Sequence, residues 1–259
     1  MNFENSQSRR ILVTTLGQLG FGVQEFLLSP VQFGIPNSRL RYFLVARREW
    51  PRPSPTSSLD TDYAAWVAAN TQRTEEYLNR GRDAVHTQWP VDKETPVKLT
   101  PLASYIDPAA NDDPLLVVPE DDILKRKNFE FDIVQASSEL TSTFTKAYGS
   151  KHLIGAGSLL QTKRLDIVEN GFKSPERLLD LGLRFFSPKE VALLHHFPSE
   201  SPDRRRGPNA VLDFPPETTQ RQRLQLLGNS LNVQVVAELL QQVLFLGYNQ
   251  ITPDNNAQR

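Results

Sequence analysis

Two arginines stand two positions apart in NSRLRYFLVARR, Arg39 and Arg41, at the head of a run that otherwise has the character of a strand. A guanidinium is a planar fork of donors, suited to a carbonyl oxygen or a phosphate. Strand alternation puts Arg39, Arg41 and Phe43 on one face and Leu40, Tyr42 and Leu44 on the other. The apolar face is expected to pack, and the arginine face to meet solvent or a ligand. Because arginine is mostly a surface residue, the strand taken alone favours the solvated reading.

A second group with chemical potential is GNSLN, where Gly228, Asn229 and Ser230 interrupt a helical pattern. By spacing alone this is an interhelical turn, with Gly228 relieving strain and Ser230 capping the helix that follows. The sharper alternative is an anion site built from backbone N–H groups, the Asn229 amide and the Ser230 hydroxyl. A third segment, SSELTSTFTKAYGSKHLIGAGSLLQTK, is rich in Ser, Thr and Gly and has the look of exposed loops and short strands that touch something. Its IGAGS at 154–158 follows no first strand and reads as an ordinary loop. His195 and His196 are adjacent, about 100° apart on a helix, so they cannot form an i, i+4 metal pair; no metal site is expected. The chain contains no cysteine, which removes disulfides, thiolate ligands and a cysteine nucleophile from its chemistry.

These residues need elements to hold them. SRRILVTTLGQLGF carries Ile11, Leu12, Leu16 and Leu19 at helical spacing before Gly20. VQEFLLSP and SRLRYFLVARR follow as two antiparallel strands joined by VQFGIPN. RREWPRPSPTSSLDTD is a surface loop, AAWVAANTQRTEEYLNRG a helix ending at Gly81, and PLASYIDP a short extended piece. In SPKEVALLHHF, Ser187, Pro188 and Glu190 stand in the order N-cap, N1 and N3 of a capping box. The closing helix shows Val233, Val236, Leu240, Val243 and Leu244 on one face. KRK at 125–127 and RRRG at 204–207 read as solvated surface, with a phosphate path as the alternative if RNA binds, and the stretch 199–217 reads as a flexible insertion.

With 259 residues, 39% of them hydrophobic, the chain can bury a real core. No stretch approaches the roughly 18–20 apolar residues of a membrane helix, and MNFENSQSRR does not resemble a secretory signal, so an intracellular protein, cytoplasmic and/or nuclear, is expected. Its 29 basic and 30 acidic residues leave a formal charge of −1, so a nucleic acid would have to be held by local basic clusters.

Taken together and in this order, QEFLLSPVQFGIPNSRLRYFLVA, TSTFTKAYGSKHLIGAGSLLQ, RFFSPKEVALLHHFP and RLQLLGNSLNVQVVAELL resemble the carboxy-terminal part of the cytosine-5 methyltransferases. The branch is the one that methylates an anticodon-loop cytosine of aspartate tRNA, historically called a DNA methyltransferase homologue. The likeness covers residues 3–45 and 135–245, with 47–130 only loosely matched. It implies an α/β chain: a partial S-adenosylmethionine-dependent methyltransferase (Rossmann-like) fold with a target-recognition subdomain. Residues 1–46 would be the last strands of the methyltransferase core, 47–182 the recognition subdomain with a loop-rich insertion, and 183–250 the helices returning to the core.

Carried onto this sequence, Asn37 to Arg41 resembles the family's Gln-x-Arg-x-Arg element. Arg41 would donate to O2 of the target cytosine and Arg39 would support it. A fixed cation there stabilises the negative charge that builds on the pyrimidine when a nucleophile adds at C6. Asn229 and Ser230 would close around the methionine end of S-adenosylmethionine. Thr143, Phe144, Thr145 and Lys146 would be the recognition signature, with Thr143 where the branch usually has cysteine.

Three elements that the family needs are not in this sequence: a glycine-containing cofactor loop, a Pro-Cys nucleophile loop and a Glu-Asn-Val segment. The resemblance implies a start just past Glu-Asn-Val, short of three or four βαβ units, roughly 100 residues. The expected function is that of a tRNA (cytosine-5) methyltransferase whose partners are tRNA, possibly DNA, and a missing amino-terminal half or another chain, with no membrane. The alternative is a non-catalytic RNA- or partner-binding module.

Overall fold

The computed structural model describes residues 3–48, 60–89, 97–150, 156–168, 174–198 and 212–245. The chain divides into two compact units, one of Met1–Leu28, Leu40–Thr95 and Ala237–Arg259, the other of Ser29–Arg39 and Pro96–Val236.

In the first unit, Ser6 caps helix α1 (Gln7–Gln18) by accepting from the Arg9 N–H at 3.1 Å. Strands β1 (Phe21–Leu28) and β2 (Arg41–Arg48) pair antiparallel from Phe21↔Arg48 to Leu28↔Arg41, as the sequence leads one to expect. Helix α2 (Asp60–Asn79) follows, and the short β3 (Val85–His86) joins β1 in parallel, giving the order β2-β1-β3. The expected apolar face of α1 is not the buried one. Ile11 and Leu19 are 60% and 54% exposed, while Arg9, Val13 and Gly17 are buried. Two contacts set this rotation. Arg9 pairs with Glu25 of β1, and Gly17 lets α2 come so close that a Cβ there would lie 1.9 Å from Thr74 Oγ1. Strand β2 departs from expectation too: it is an edge strand whose residues 41–46 are all half-buried, and Leu40 is exposed rather than packed.

In the second unit, PLASYIDP is a 3-10 turn (Leu102–Tyr105) and not an extended piece. Pro101 sets the turn, and the Ser104 N–H donates to the Pro101 carbonyl. Helix α3 (Glu120–Leu124) precedes a small sheet of β4 (Ile133–Val134), β5 (Leu159–Gln161) and β6 (Leu183–Arg184), in the order β4-β5-β6, parallel and then antiparallel. Helix α4 (Pro188–Leu194) opens with the capping box predicted on Ser187 and Glu190. Glu190 also takes both prongs of the buried Arg184 guanidinium, at 2.9 and 2.8 Å. Helix α5 (Gln220–Asn229) has its own capping box on Thr219 and Gln222, and α6 (Val233–Glu238) begins in this unit and continues into a π-helical segment, Leu239–Phe245, that is counted with the first.

The core of this unit gathers Leu116, Phe131, Leu160, Leu178, Phe186, Leu194 and Leu227 around Phe144 and Tyr148. His195 is fully buried, its Nδ1 2.8 Å from the Val191 carbonyl, which makes it a packed core histidine. Among the α6 and π-helical residues, Val235, Leu239 and Val243 are the buried ones and Leu240 is exposed. The buried face is thus displaced from the one expected, already at Val235 within α6, and Val243 is the residue common to both.

Lys125 and Lys127 are exposed, as read. RRRG, most of 199–217, most of the loop after β2 and Ile154–Gly155 of IGAGS lie outside the described residues. Among the described residues no helix is long and apolar enough to cross a membrane, and no cluster of His, Cys, Asp and Glu could hold a metal.

Candidate recognition and methyl-donor site

The residues just before β2 are zipped to the recognition segment. Thr141 donates its N–H to the Pro36 carbonyl at 3.0 Å, and the Ser38 N–H donates to the Thr141 carbonyl at 2.8 Å, a short parallel bridge. Asn37, fully buried, adds its amide, which donates to Thr141 Oγ1 at 3.0 Å and to the Ser142 carbonyl at 2.8 Å. The Thr143 hydroxyl returns the contact by donating to the Ser38 carbonyl at 2.8 Å. Asparagine in place of the family's glutamine therefore has a definite task, which is to register residues 36–38 against 141–143.

Arg39 is only 3% exposed, against the expectation of a solvent- or ligand-facing side chain. Its guanidinium donates to the Phe144 carbonyl, to the Gly228 carbonyl at 3.0 Å and to the Ser230 carbonyl at 2.7 Å. A planar fork with five N–H donors can satisfy several divergent carbonyls at once. Gly228 also meets the loop directly. A Cβ there would lie 2.3 Å from the Thr145 carbonyl carbon and 2.4 Å from the Lys146 nitrogen, so helix α5 abuts the loop backbone directly.

The recognition signature is consequently less exposed than its composition suggests. Phe144 is fully buried, edge-on to Tyr148 and Phe186 with ring centroids 4.8 and 5.2 Å away. Thr145 is half-buried, its N–H donating to the Ala156 carbonyl at 2.9 Å, and Lys146 is exposed. Gly157, at φ +142°, fits beneath Phe144 and Tyr148, where a Cβ would meet both rings within 2.8 Å. Burial pushes the Tyr148 hydroxyl far up from its ordinary pKa, so it stays a donor, to the Ser158 carbonyl at 2.6 Å.

The GNS turn also differs from its sequence reading. Gly228 lies inside α5 without a positive φ, so space and not strain relief demands glycine. Ser230 ends α5, its hydroxyl donating to the Leu227 carbonyl at 2.6 Å, and the residue that caps α6 is Asn232, whose Oδ1 accepts from the Val235 N–H at 3.2 Å. Asn229 is exposed.

Arg41 belongs to the other unit. It opens β2, half-buried, with one guanidinium nitrogen on the Leu40 carbonyl at 2.8 Å. The structure therefore gathers Arg39, Thr143 to Lys146 and Gly228 to Ser230 within one unit, and holds Arg41 on the first strand residue after it. Sequence reasoning missed Ser38 and Asn232. The alternation of Asn-Ser around each motif was the available signal, since short polar side chains serve as local acceptors.

The family described as C-5 cytosine-specific DNA methylase matches residues 1–244. Among curated proteins, the chain is 37% identical over 278 residues to the tRNA (cytosine(38)-C(5))-methyltransferase of Bos taurus and 36% identical over 279 residues to that of Homo sapiens; each alignment covers 92% of this chain and 67% of the relative. A DNA (cytosine-5)-methyltransferase of Dictyostelium discoideum is 33% identical, over 91% of this chain and 60% of the relative. Among solved structures, Spodoptera frugiperda DNMT2, as an alanine-substituted mutant, superposes with a TM-score of 0.64 at 31% identity, covering 94% of this chain and 64% of that one. The S. pombe Dnmt2 methyltransferase gives 0.63 at 26% identity, again over 94% and 64%. The chain spans about two thirds of the length of these relatives.

Proposed function

This chain belongs to the C-5 cytosine-specific DNA methylase family, whose methyl donor is S-adenosylmethionine and whose fold its structural neighbours share, and from that premise we propose that it is the recognition and closing part of a tRNA (cytosine-5) methyltransferase. The target is an anticodon-loop cytosine. The supporting observation is the buried joint in which the Asn37 to Arg39 segment, the Thr143 to Lys146 loop and the end of α5 are fastened to one another. A joint of that kind holds a recognition loop in a fixed pose, which a site that must position a single base requires.

In this reading Arg41 donates to O2 of the cytosine, Arg39 holds the loop behind it, Lys146 meets the RNA backbone, and Asn229 with Ser230 binds the methionine end of the donor. When bound, S-adenosylmethionine supplies an electrophilic methyl group. Arg41 stabilises charge developing on the pyrimidine, an effect worth about 10²–10³ in turnover for one well-placed donor. The nucleophile at C6 comes from polypeptide outside this sequence, which has no cysteine. Segments 1–46 and 183–250 then serve the methyltransferase core, and 47–182 the recognition subdomain.

That absence of cysteine also favours a second reading, a module that binds RNA or a protein partner without catalysis. Binding of a tRNA anticodon stem-loop to this chain complemented with the amino-terminal part of a relative, measured with and without S-adenosylhomocysteine, separates the two. Binding strengthened by the cofactor product supports the methyltransferase part, and cofactor-indifferent binding supports the module. No RNA binding at all removes both RNA readings.

A further inference from the structure

We propose that residues 115–118, at the edge of the second unit's sheet, are a docking surface for a protein partner that contributes an extended segment of alternating basic and apolar residues. Val117 forms an antiparallel bridge to Arg184 of β6. The Val118 N–H donates to the Leu183 carbonyl at 3.1 Å and the Phe185 N–H to the Leu116 carbonyl at 2.8 Å. Those two bonds flank Val117, so its own N–H and carbonyl point away from β6, and among the described residues neither has a partner. Leu115 is already held, its N–H on Asp113 Oδ1 at 2.9 Å and its carbonyl under Gln220 Nε2 at 3.3 Å, which confines the open edge to Val117. Burial alternates along the same residues: Leu116 and Val118 are enclosed, whereas Leu115 is 73% and Val117 55% exposed. The edge thus offers two backbone hydrogen bonds beside two bare apolar side chains, the means by which a sheet takes up a strand from another chain.

Charge selects the occupant. Asp112 and Asp113 precede the edge, and Glu120, Asp121 and Asp122 follow it. A phosphate backbone is repelled there, and a second copy pairing edge to edge would set carboxylate against carboxylate. Lysine and arginine on an incoming strand meet opposite charge instead. An edge built only to keep neighbours off would carry charge where Leu115 and Val117 stand.

The probe is a fluorescently labelled peptide, Lys-Val-Arg-Val-Lys-Val-Arg, titrated into the full chain by anisotropy at several salt concentrations. One control peptide carries glutamate at the basic positions. Another has its valine nitrogens methylated, which forfeits either the hydrogen bonds or the valine contact. The basic peptide is expected to bind about tenfold or more tightly than either control. Leu115→Ser with Val117→Thr should weaken it about tenfold at the wild-type salt slope, through lost apolar contact. Glu120→Gln with Asp121→Asn should weaken it and flatten the slope. The substituted residues are exposed, so the variants should melt with the wild type, and the two control peptides decide on the unaltered chain. No binding of the basic peptide, equal binding of the N-methylated one, or indifference to Leu115→Ser with Val117→Thr overturns the proposal. A chain that dimerises, and loses the dimer in that double variant, assigns the edge to a second copy and overturns it as well.

Discussion

Arg9 and Glu25 form a two-pronged buried ion pair, with Nε to Oε1 and the second guanidinium nitrogen to Oε2 both at 2.7 Å, and side chains 6% and 0% exposed. The Arg9 fork has a further donor on the Glu4 carbonyl at 3.1 Å, and the Tyr42 hydroxyl donates to the same carboxylate from β2. One pair thus ties α1 to both long strands. Removing a single partner leaves a buried charge unpaired and costs about 3–5 kcal/mol, while replacing both with apolar residues is close to neutral. Arg9→Met is expected to destabilise the protein by that amount in urea unfolding, and Arg9→Met with Glu25→Leu to recover most of the loss.

The same pair makes stability depend on acid. Burial alone pushes the Glu25 carboxyl up, but the hydrogen bonds from Arg9 and Tyr42 and the Arg9 charge prevail and hold it below its ordinary 4.5. The folded chain then binds this proton less tightly than the unfolded one. Its contribution is complete above the unfolded value and drains away as pH falls through the folded one. Melting temperatures taken from pH 7 down to pH 3 should fall more steeply for wild type than for Arg9→Met with Glu25→Leu. Parallel curves would contradict the shift.

Two glycines offer a sharp contrast. Gly81 has φ +59° with nothing within 4 Å of an added Cβ, whereas Gly228 has no room at all beside Thr145 and Lys146. Asparagine tolerates the left-handed region, so Gly81→Asn should cost under about 1 kcal/mol. Gly228→Ala must push backbone against backbone and should cost about 1–3 kcal/mol or more, with loss of RNA affinity. Equal stability of the two variants in chemical denaturation would refute the close approach.

Asn229 is exposed at the end of α5, so its proposed contact with the methyl donor can be tested apart from the fold. Asn229→Ala is expected to leave the melting temperature within a degree or two of wild type, as surface substitutions do. In a complemented enzyme it should weaken S-adenosylhomocysteine binding about tenfold by calorimetry, the loss of one buried hydrogen bond to a charged group. Unchanged affinity would take Asn229 out of the donor site.

Short-range features of this protein were legible in its sequence. The capping box of Ser187 and Glu190, the β1 and β2 hairpin and α2 up to Gly81 each depend on residues within a few positions of one another. The family motifs were legible too, because four in order constrain one another. What could not be read was which way long-range partners would turn a side chain. Arg39 is buried by carbonyls 105 and 189 residues away, and nothing in NSRLR announces Phe144 or Gly228. Helix α1 presents Arg9, Val13 and Gly17 inward because an ion pair and a helix crossing outweigh the more apolar face. Ser230 lost the cap of α6 to Asn232 because α6 starts at Val233, which makes Asn232 the residue immediately before it.

Methyl transfer by a complemented enzyme tests the central claim most directly. The chain would be joined to the amino-terminal part of a relative such as the Spodoptera frugiperda protein, and labelled methyl counted into tRNA whose anticodon-loop cytosine is present or replaced by uridine. The account predicts incorporation that requires that cytosine and falls about 10²–10³ on Arg41→Ala, with S-adenosylhomocysteine affinity unchanged. A folded chimera that methylates neither tRNA, or one whose turnover is indifferent to Arg41→Ala, would contradict it.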